Sequence, residues 1–407
     1  MPHERLEDAL RSELTALREA GTVKGQETVT VGVLPPQGGK GPRYLLAGEG
    51  GRPFLRMNSN SYLGMSRRPE VVAADETATR AYGAGPGAVR FISGTWAPHV
   101  ELEQRLAAFH GRPAGMIFSS AYATVMGLLP SLISLDTAVV SDELNHNCII
   151  NAIRLARPRE RHVYRHLDLG ELERALDTAK DACRRAIVVT DGIFSMRGDH
   201  APLGQIMDLA RRFDSTFDEN VLVVVDDSHG VGAFGATGRG TEEHTGSGPV
   251  DILVGTLGKA FGVNGGYIVA SDAIVGYLRE KAPFYIYSNP ITPGEAAAAA
   301  KALAVVDGPD GRSLLDHLRA MTARLSSGIV ALGLETIPGD HPIVPLMVRD
   351  TARTSRLVRH LRDRGVLATG LGYPVVPKGE EEIRFQVSAD HTAADIDEVL
   401  ALLADAR

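Results

Sequence analysis

Cysteine is scarce in this chain. Its 407 residues hold two, Cys148 and Cys183, and one tryptophan, Trp96. Two thiols 35 positions apart make no disulfide framework, so the expectation is a reduced, cytoplasmic protein stabilised by its core. Excess positive charge is also missing. Lys and Arg number 43 against 50 Asp and Glu, a net charge of −7, which leaves nothing to neutralise a phosphate backbone and argues against a nucleic-acid partner. The N-terminus, MPHERLEDALRSELTALREAG, is charged and helical in period, unlike a secretory leader. One uncharged stretch, 114–135, is long enough to span a bilayer. It contains Gly115, Gly127, Pro130 and several serines and lacks a basic flank, so it reads as a buried strand, a turn and a buried helix, with no membrane partner.

What the chain does have is alternation. A first helix is expected from about His3 to Ala20, with Leu6, Leu10, Leu14 and Leu17 on one stripe and Gly21 as its stop. A Gly/Pro-rich connector, VGVLPPQGGKGP, follows, and RYLLAGEGGRPFLRMNSN then reads as two short strands around a Gly turn. From there the runs AGMIFSS, TAVVSD, AIVVTDGIF, VLVVVDD, DILVGT and GGYIVAS are strand-like, with helical patterns such as GELERALDTAKDACRR and LGQIMDLARRF between them. Such order implies crossover connections and a mainly parallel sheet, covered on both faces because the strands are apolar throughout. After about residue 290 an Ala-rich helix leads into shorter units, HPIVPLMV, TARTSRLVRHLRDRG, EEIRFQVSA and TAADIDEVLALLADA. The expected architecture is α/β: an N-terminal helix-and-strand segment over 1–57, a large domain over 58–290 and a smaller α+β domain over 291–407.

In parallel α/β sheets ligands bind beyond the carboxyl ends of the strands, so polar residues just after apolar runs are the candidates. Asp226, Asp227 and His229 end VLVVVDDSHG. A buried carboxylate there needs a partner, either a cationic ring nitrogen, a helix cap or salt bridge, or a metal. The metal reading lacks further ligands, since no HExxH or CxxC pattern occurs. Lys259 ends DILVGTLGKAFG among glycines. Enclosure lowers a lysine's pKa and favours the neutral amine of Schiff-base chemistry, although an isolated Gly-Lys pair is more often an exposed loop. Lysine and carboxylate together are what a pyridoxal-phosphate (PLP) site requires. Ser119, Ser120, Ala121 and Tyr122 precede a helix whose free N–H groups suit phosphate, or serve merely as its cap. His146 follows TAVV, where a flat ring can stack on a cofactor or be structural. Gly230, Gly232 and Gly235 imitate a dinucleotide motif, but ATGRGTEEHTGSGP then follows where a regular helix is required. GTLGKA lacks the first Gly and the Ser/Thr of a phosphate-binding loop.

With these motifs in view the chain resembles the α-oxoamine synthases, a group of fold-type I PLP enzymes. NSNSYLGM (58–65), VRFISGT (89–95), HVELEQRLAAFHG (99–111), SDELNHNCII, TDGIFSMRGD (190–199), VVDDSHGVGAFG (224–235), GTLGKAFG (255–262) and YPVVPKGEEEIRFQVSADHT (373–392) stand in family order. The resemblance implies a large domain with a seven-stranded, mainly parallel sheet. It implies that Lys259 carries the cofactor as a Schiff base and moves the Cα proton. Asp226 would pair with the pyridinium nitrogen, His229 with the phenolic oxygen, and His146 would stack on the ring. Ser120, Ala121, Tyr122 and Thr256 would hold the phosphate, and Ser195 would line the site. Asn60 and Arg384 would receive the amino-acid carboxylate, Arg384 with a bidentate grip. Ser288 and Asn289 would reach a neighbouring subunit's phosphate, which implies a homodimer with shared sites. The implied reaction is a decarboxylating condensation of a small amino acid with an acyl-CoA, giving an aminoketone, CoA and CO2.

Within the family the motifs point several ways. YPVVPKG, SDELNH and DGIFSM are most similar to glycine C-acetyltransferase (2-amino-3-ketobutyrate CoA ligase). GKAFGVNGGY is similar to 5-aminolevulinate synthase, and GAGPGAVRFISGT to bacterial members near 8-amino-7-oxononanoate synthase. A secondary-metabolite synthase and a non-catalytic PLP-fold binding protein are the alternative readings. Departures from the family pattern fall at Ser61, Trp96, Ala121 and Tyr122, where the substrates would lie.

Overall fold

A computed structural model describes residues 3–20, 23, 27–373 and 376–406. Gly21, and Pro374 and Val375 of the YPVVPKG motif, lie outside the described residues. The first helix, Glu4–Glu19, has no buried residue, and Leu6, Leu10 and Leu14 stand exposed along it. The connector after it is not all loop: β1 (Thr30–Leu34) takes up VGVL and pairs antiparallel with β2 (Arg43–Leu46), which pairs with β3 (Pro53–Arg56).

The central sheet comprises β4 (Ala114–Phe118), β5 (Thr137–Asp142), β6 (Glu160–Tyr164), β7 (Arg185–Asp191), β8 (Val221–Asp226), β9 (Ile252–Thr256) and β10 (Gly266–Ala270). Their spatial order is β4-β10-β9-β8-β7-β5-β6, with only β10 antiparallel to its neighbours. The period of two sorts each strand's side chains between the sheet's faces. On β8, Val223 and Val225 join one core cluster while Val224 joins the other. On β7, Ala186 and Val188 go with the first and Ile187 and Val189 with the second. Continuous apolar runs result because helices cover both faces. β6, ERHVY, is an edge strand whose burial alternates, and its charges, which blunt an edge, hide it from a search for apolar runs.

The C-terminal part holds a second sheet of β11 (Glu335–Thr336), β12 (Ile343–Met347), β14 (Thr369–Leu371) and β15 (Glu382–Gln386), in the order β11-β12-β15-β14 and antiparallel throughout. Its fifth short strand, β13 (Val366–Leu367), pairs with β3 instead and ties the N-terminal sheet to this end of the chain. Helix Pro309–Ala331, 23 residues long, passes unnoticed among the short C-terminal units, although Leu315, Leu318, Thr322, Leu325 and Ile329 form its buried stripe. A short helix, Thr241–Thr245, also forms within the Gly-rich ATGRGTEEHTGSGP segment.

One buried ion cluster locks the large domain. Glu103, on helix Ala97–Phe109, accepts from Arg90 Nη1 and Nη2 (both 3.1 Å), Arg279 Nη2 (2.9 Å) and the amide of Ile117 on β4 (3.1 Å). Arg90 is itself buried. Glu103→Ala therefore strands a buried guanidinium, and we expect a loss of about 3–5 kcal/mol in denaturant unfolding. A loss under about 1 kcal/mol would show the cluster to be dispensable.

Candidate active site

Five strands deliver the candidate residues to one edge of the central sheet. β4 leads to Ala121 and Tyr122, β5 to His146, β7 to Asp191 and Ser195, β8 to Asp226 and His229, and β9 to Lys259. All of these line one cleft with about 350 Å³ of empty space. Thr256, Ser288, Asn289, Asn60 and Arg384 do not line it. Asn60 shares a second, more open cleft with Lys259.

Local chemistry fixes each group. Ser120 caps helix Ala121–Leu132 by accepting from the amide of Ala123 (3.1 Å), so its hydroxyl oxygen is engaged in capping. The start of that helix presses on β10, where a Cβ at Gly266 would lie 2.4 Å from the amide nitrogen of Ala121. Thr256 accepts from the amide of Gly258 (3.1 Å) and donates to the carbonyl of Gly265 (3.3 Å), shaping the turn that presents Lys259. His146 caps helix Asn147–Ala156 with its ring: Nδ1 accepts from the amide of Cys148 (3.3 Å). Asp226 is buried, and its Oδ1 accepts from the amide of Ser228 (3.1 Å). Ser288 and Asn289 sit at the surface, where Ser288 donates to the carbonyl of Asn289 (3.4 Å).

Three groups sharpen the site without having been singled out from the sequence. Asp191 lies beside Asp226 in strict register across β7 and β8. Its Oδ2 accepts from the amide of His146 (3.1 Å), while its buried Oδ1 has no partner among the described residues. The rule that picked out Asp226, a carboxylate ending an apolar strand, applies equally to AIVVTD. Tyr62, from NSNSYLGM, is fully buried and places its hydroxyl 2.7 Å from Nδ1 of His229. His341 bonds the carbonyl of His229 through Nε2 (2.9 Å). Nothing in the spacing of Tyr62 and His341 announces either contact.

The electrostatics follow from burial. Desolvation lowers Lys259 to about 8, against the opposing pull of Asp226 and Asp191 and with Arg384 adding repulsion. Burial holds His229 well below the ordinary imidazole value, and the charges of Lys259 and Arg384 reinforce this. Burial also raises the Tyr62 phenol, so it keeps its proton, and its hydroxyl meets Nδ1 of His229 at 2.7 Å and Asn60 Oδ1 at 3.4 Å. Asp191 is pushed well above the carboxylate range by desolvation and then by Asp226. Arg384, on β15, donates to Asn60 Oδ1 (3.0 Å) and meets Met196 Sδ at 3.9 Å, while its Nε is buried without a partner. Among the described residues no carboxylate lies within ion-pair distance of it, so the guanidinium is under-paired.

Residues and group fit. An easily deprotonated amine, a buried carboxylate with a sparsely bonded second oxygen, a neutral histidine and a second ring converge on one cleft. Fold and site together define a fold-type I PLP enzyme. The profile of the family "Aminotransferase class I and II" matches residues 52–403. The chain is 38% identical over 400 residues to 8-amino-7-oxononanoate synthase of Symbiobacterium thermophilum, covering 98% of this chain and 97% of that protein. It is 39% identical over 395 residues to the mitochondrial 2-amino-3-ketobutyrate coenzyme A ligase of Homo sapiens, covering 97% and 90%. Among solved structures, Sphingomonas wittichii serine palmitoyltransferase superposes with a TM-score of 0.88 at 26% identity, over 99% and 97% of the two chains. A further serine palmitoyltransferase structure, described with a PLP internal aldimine, superposes equally well at 0.88 over 98% and 96%. The chain belongs to the class I and II aminotransferase family and, within it, to the α-oxoamine synthases.

The lowered lysine makes a kinetic prediction. Only the neutral amine adds to an aldehyde, and below about 8 it is the minor form. The rate at which cofactor-free protein takes up PLP, followed by visible absorbance, should climb about tenfold per pH unit up to that value and level off above it. A rate that keeps climbing to about pH 10 would mean that Lys259 titrates like a free lysine.

Proposed function

We propose that this protein condenses a small amino acid, glycine, alanine or similar, with an acyl-CoA to give an α-aminoketone, CoA and CO2. The under-paired Arg384 beside Asn60 carries this reading. It leaves an under-paired cationic fork bonded to Asn60, which shares a cleft with Lys259, and the fork's charge reaches Lys259.

Bound PLP supplies the electron sink for a Cα carbanion. The side chains do the rest. Lys259 would hold the cofactor and serve as the base for the Cα proton. Asp226 would keep the ring nitrogen protonated, His229 would bond the phenolic oxygen, and His146 would stack on the ring. Arg384 and Asn60 orient the substrate carboxylate. The new C–C bond forms to the thioester carbonyl as the C–S bond breaks and CoA leaves as its thiol. The carboxylate then departs as CO2, and Cα takes back a proton drawn from solvent.

The partners are thus an amino acid and an acyl-CoA, with a second copy of the chain to complete the site. The leucine stripe of helix Glu4–Glu19 and the surface position of Ser288 and Asn289 support the homodimer. A cytoplasmic location is consistent with Cys148 and Cys183, both buried and unbridged. No helix among the described residues is long and apolar enough to cross a membrane. A panel of amino acids against acyl-CoAs of increasing chain length, read by CoA release and product mass, tests the reading and fixes both substrates. An acyl chain of pimeloyl length would indicate the 8-amino-7-oxononanoate synthase type, and an unusual amino acid a secondary-metabolite synthase. PLP binding without CoA release from any pair would leave a binding protein.

A further inference from the structure

Cys148 occupies a place that the proposed reaction does not explain. It is the second residue of helix Asn147–Ala156, it is buried, and it lines the cofactor cleft. Its Sγ lies 2.9 Å from Nδ1 of His146 and 3.7 Å from Oδ2 of Asp226. That nitrogen already accepts the amide N–H of Cys148, so it carries a lone pair and the ring's proton belongs on Nε2. The thiol has one proton; with the ring nitrogen held by the backbone N–H, that proton goes to the carboxylate. Asp226 Oδ1 is occupied by Ser228, which leaves Oδ2 to the thiol and to whatever enters the cleft. Asp191 completes the group, holding the backbone of His146 from below with its other oxygen unpartnered. Burial, reinforced by Asp226 and Asp191, keeps Cys148 in the protonated form. A thiol is a weak donor, so it orients Oδ2 without saturating it.

We propose that Cys148 is a positioning residue for the PLP reaction, its buried thiol holding the orientation of the Asp226 carboxylate toward the ring nitrogen. This rests on the function proposed above. A hydroxyl can take over the bond to Asp226, and a methyl group cannot. A residue present only for packing sorts the substitutions the other way, since an apolar Ala suits a buried site better than Ser.

Cys148→Ser and Cys148→Ala separate the two roles. In Cys148→Ala the affinity for PLP should fall about threefold to tenfold, as expected for one lost orienting hydrogen bond, and the midpoint of the pH titration of the visible band should move. Cys148→Ser should recover most of both. Cys148→Ala matching the parent in affinity and midpoint, or Cys148→Ser impaired as badly as Cys148→Ala, overturns the proposal. Should Cys148→Ala not fold, Cys148→Ser alone decides by the same two readouts. If the parent protein itself takes up no PLP, it is the functional reading that fails.

Discussion

Lys259→Ala should produce a folded, colourless enzyme with no measurable turnover. Two contributions vanish together. The amine that attaches the cofactor is gone, so visible absorbance should not survive gel filtration, and borohydride should no longer fix the cofactor to the chain. The group that moves the Cα proton is gone as well, and such a loss alone costs about 10²–10⁴ in rate. A fall in kcat of at least about 10³-fold is expected. Lys259→Arg is the informative control. It keeps a positive charge facing Asp226 and Asp191, but a guanidinium stays protonated and cannot add to an aldehyde. If charge balance were the role of Lys259, the arginine variant would remain active. If nucleophilicity is, both variants are dead. Full turnover by Lys259→Ala would falsify the assignment of the site.

Much of this site was legible because strand-end chemistry is written locally. Five β-branched or aliphatic residues followed by Asp226, and the ILVGT run that leads through Leu257 and Gly258 to Lys259, mark buried strands ending in groups that demand partners. The seven-stranded sheet follows from the same runs, except for β6, where charges on an edge strand break the apolar signal. β1 was hidden for a related reason, since a mostly exposed strand beside a Gly/Pro segment looks like loop. Long-range pairings were not legible from the residues alone. Asn60 and Arg384 are 324 positions apart and meet only because β15 runs alongside the segment after β3. Family resemblance named them, whereas spacing could not. The contact of Tyr62 with His229, across 167 positions, has no such herald. Asp191 is different. The rule that found Asp226 covers it, yet its role depends on what stands beside it in the sheet, and register is not visible in one strand.

That register shapes the expected behaviour of Asp226→Asn. An amide cannot balance a protonated ring nitrogen, so the cofactor's electron sink becomes shallow. Removing one partner of a desolvated charge pair costs about 2–5 kcal/mol, or roughly 30-fold to several thousand-fold. We expect the loss in kcat, with the KM for the amino acid changing little because the grip proposed for Arg384 and Asn60 on its carboxylate is untouched. Asp191 limits the damage. After desolvation, the charge of Asp226 is the largest influence holding it in its protonated form. Replacing that charge with an amide lets Asp191 ionise more readily, one strand away and with a free Oδ1. The single variant should therefore keep residual activity that rises with pH as Asp191 deprotonates. The Asp226→Asn/Asp191→Asn double variant should lose that rise and fall further than the two single losses combined, since neighbouring groups in one network are not additive. A pH–rate profile of the two variants decides it. Superimposable profiles would assign Asp191 to holding the His146 backbone and nothing more, and equal turnover by Asp226→Asn and the parent would remove the carboxylate from the mechanism altogether.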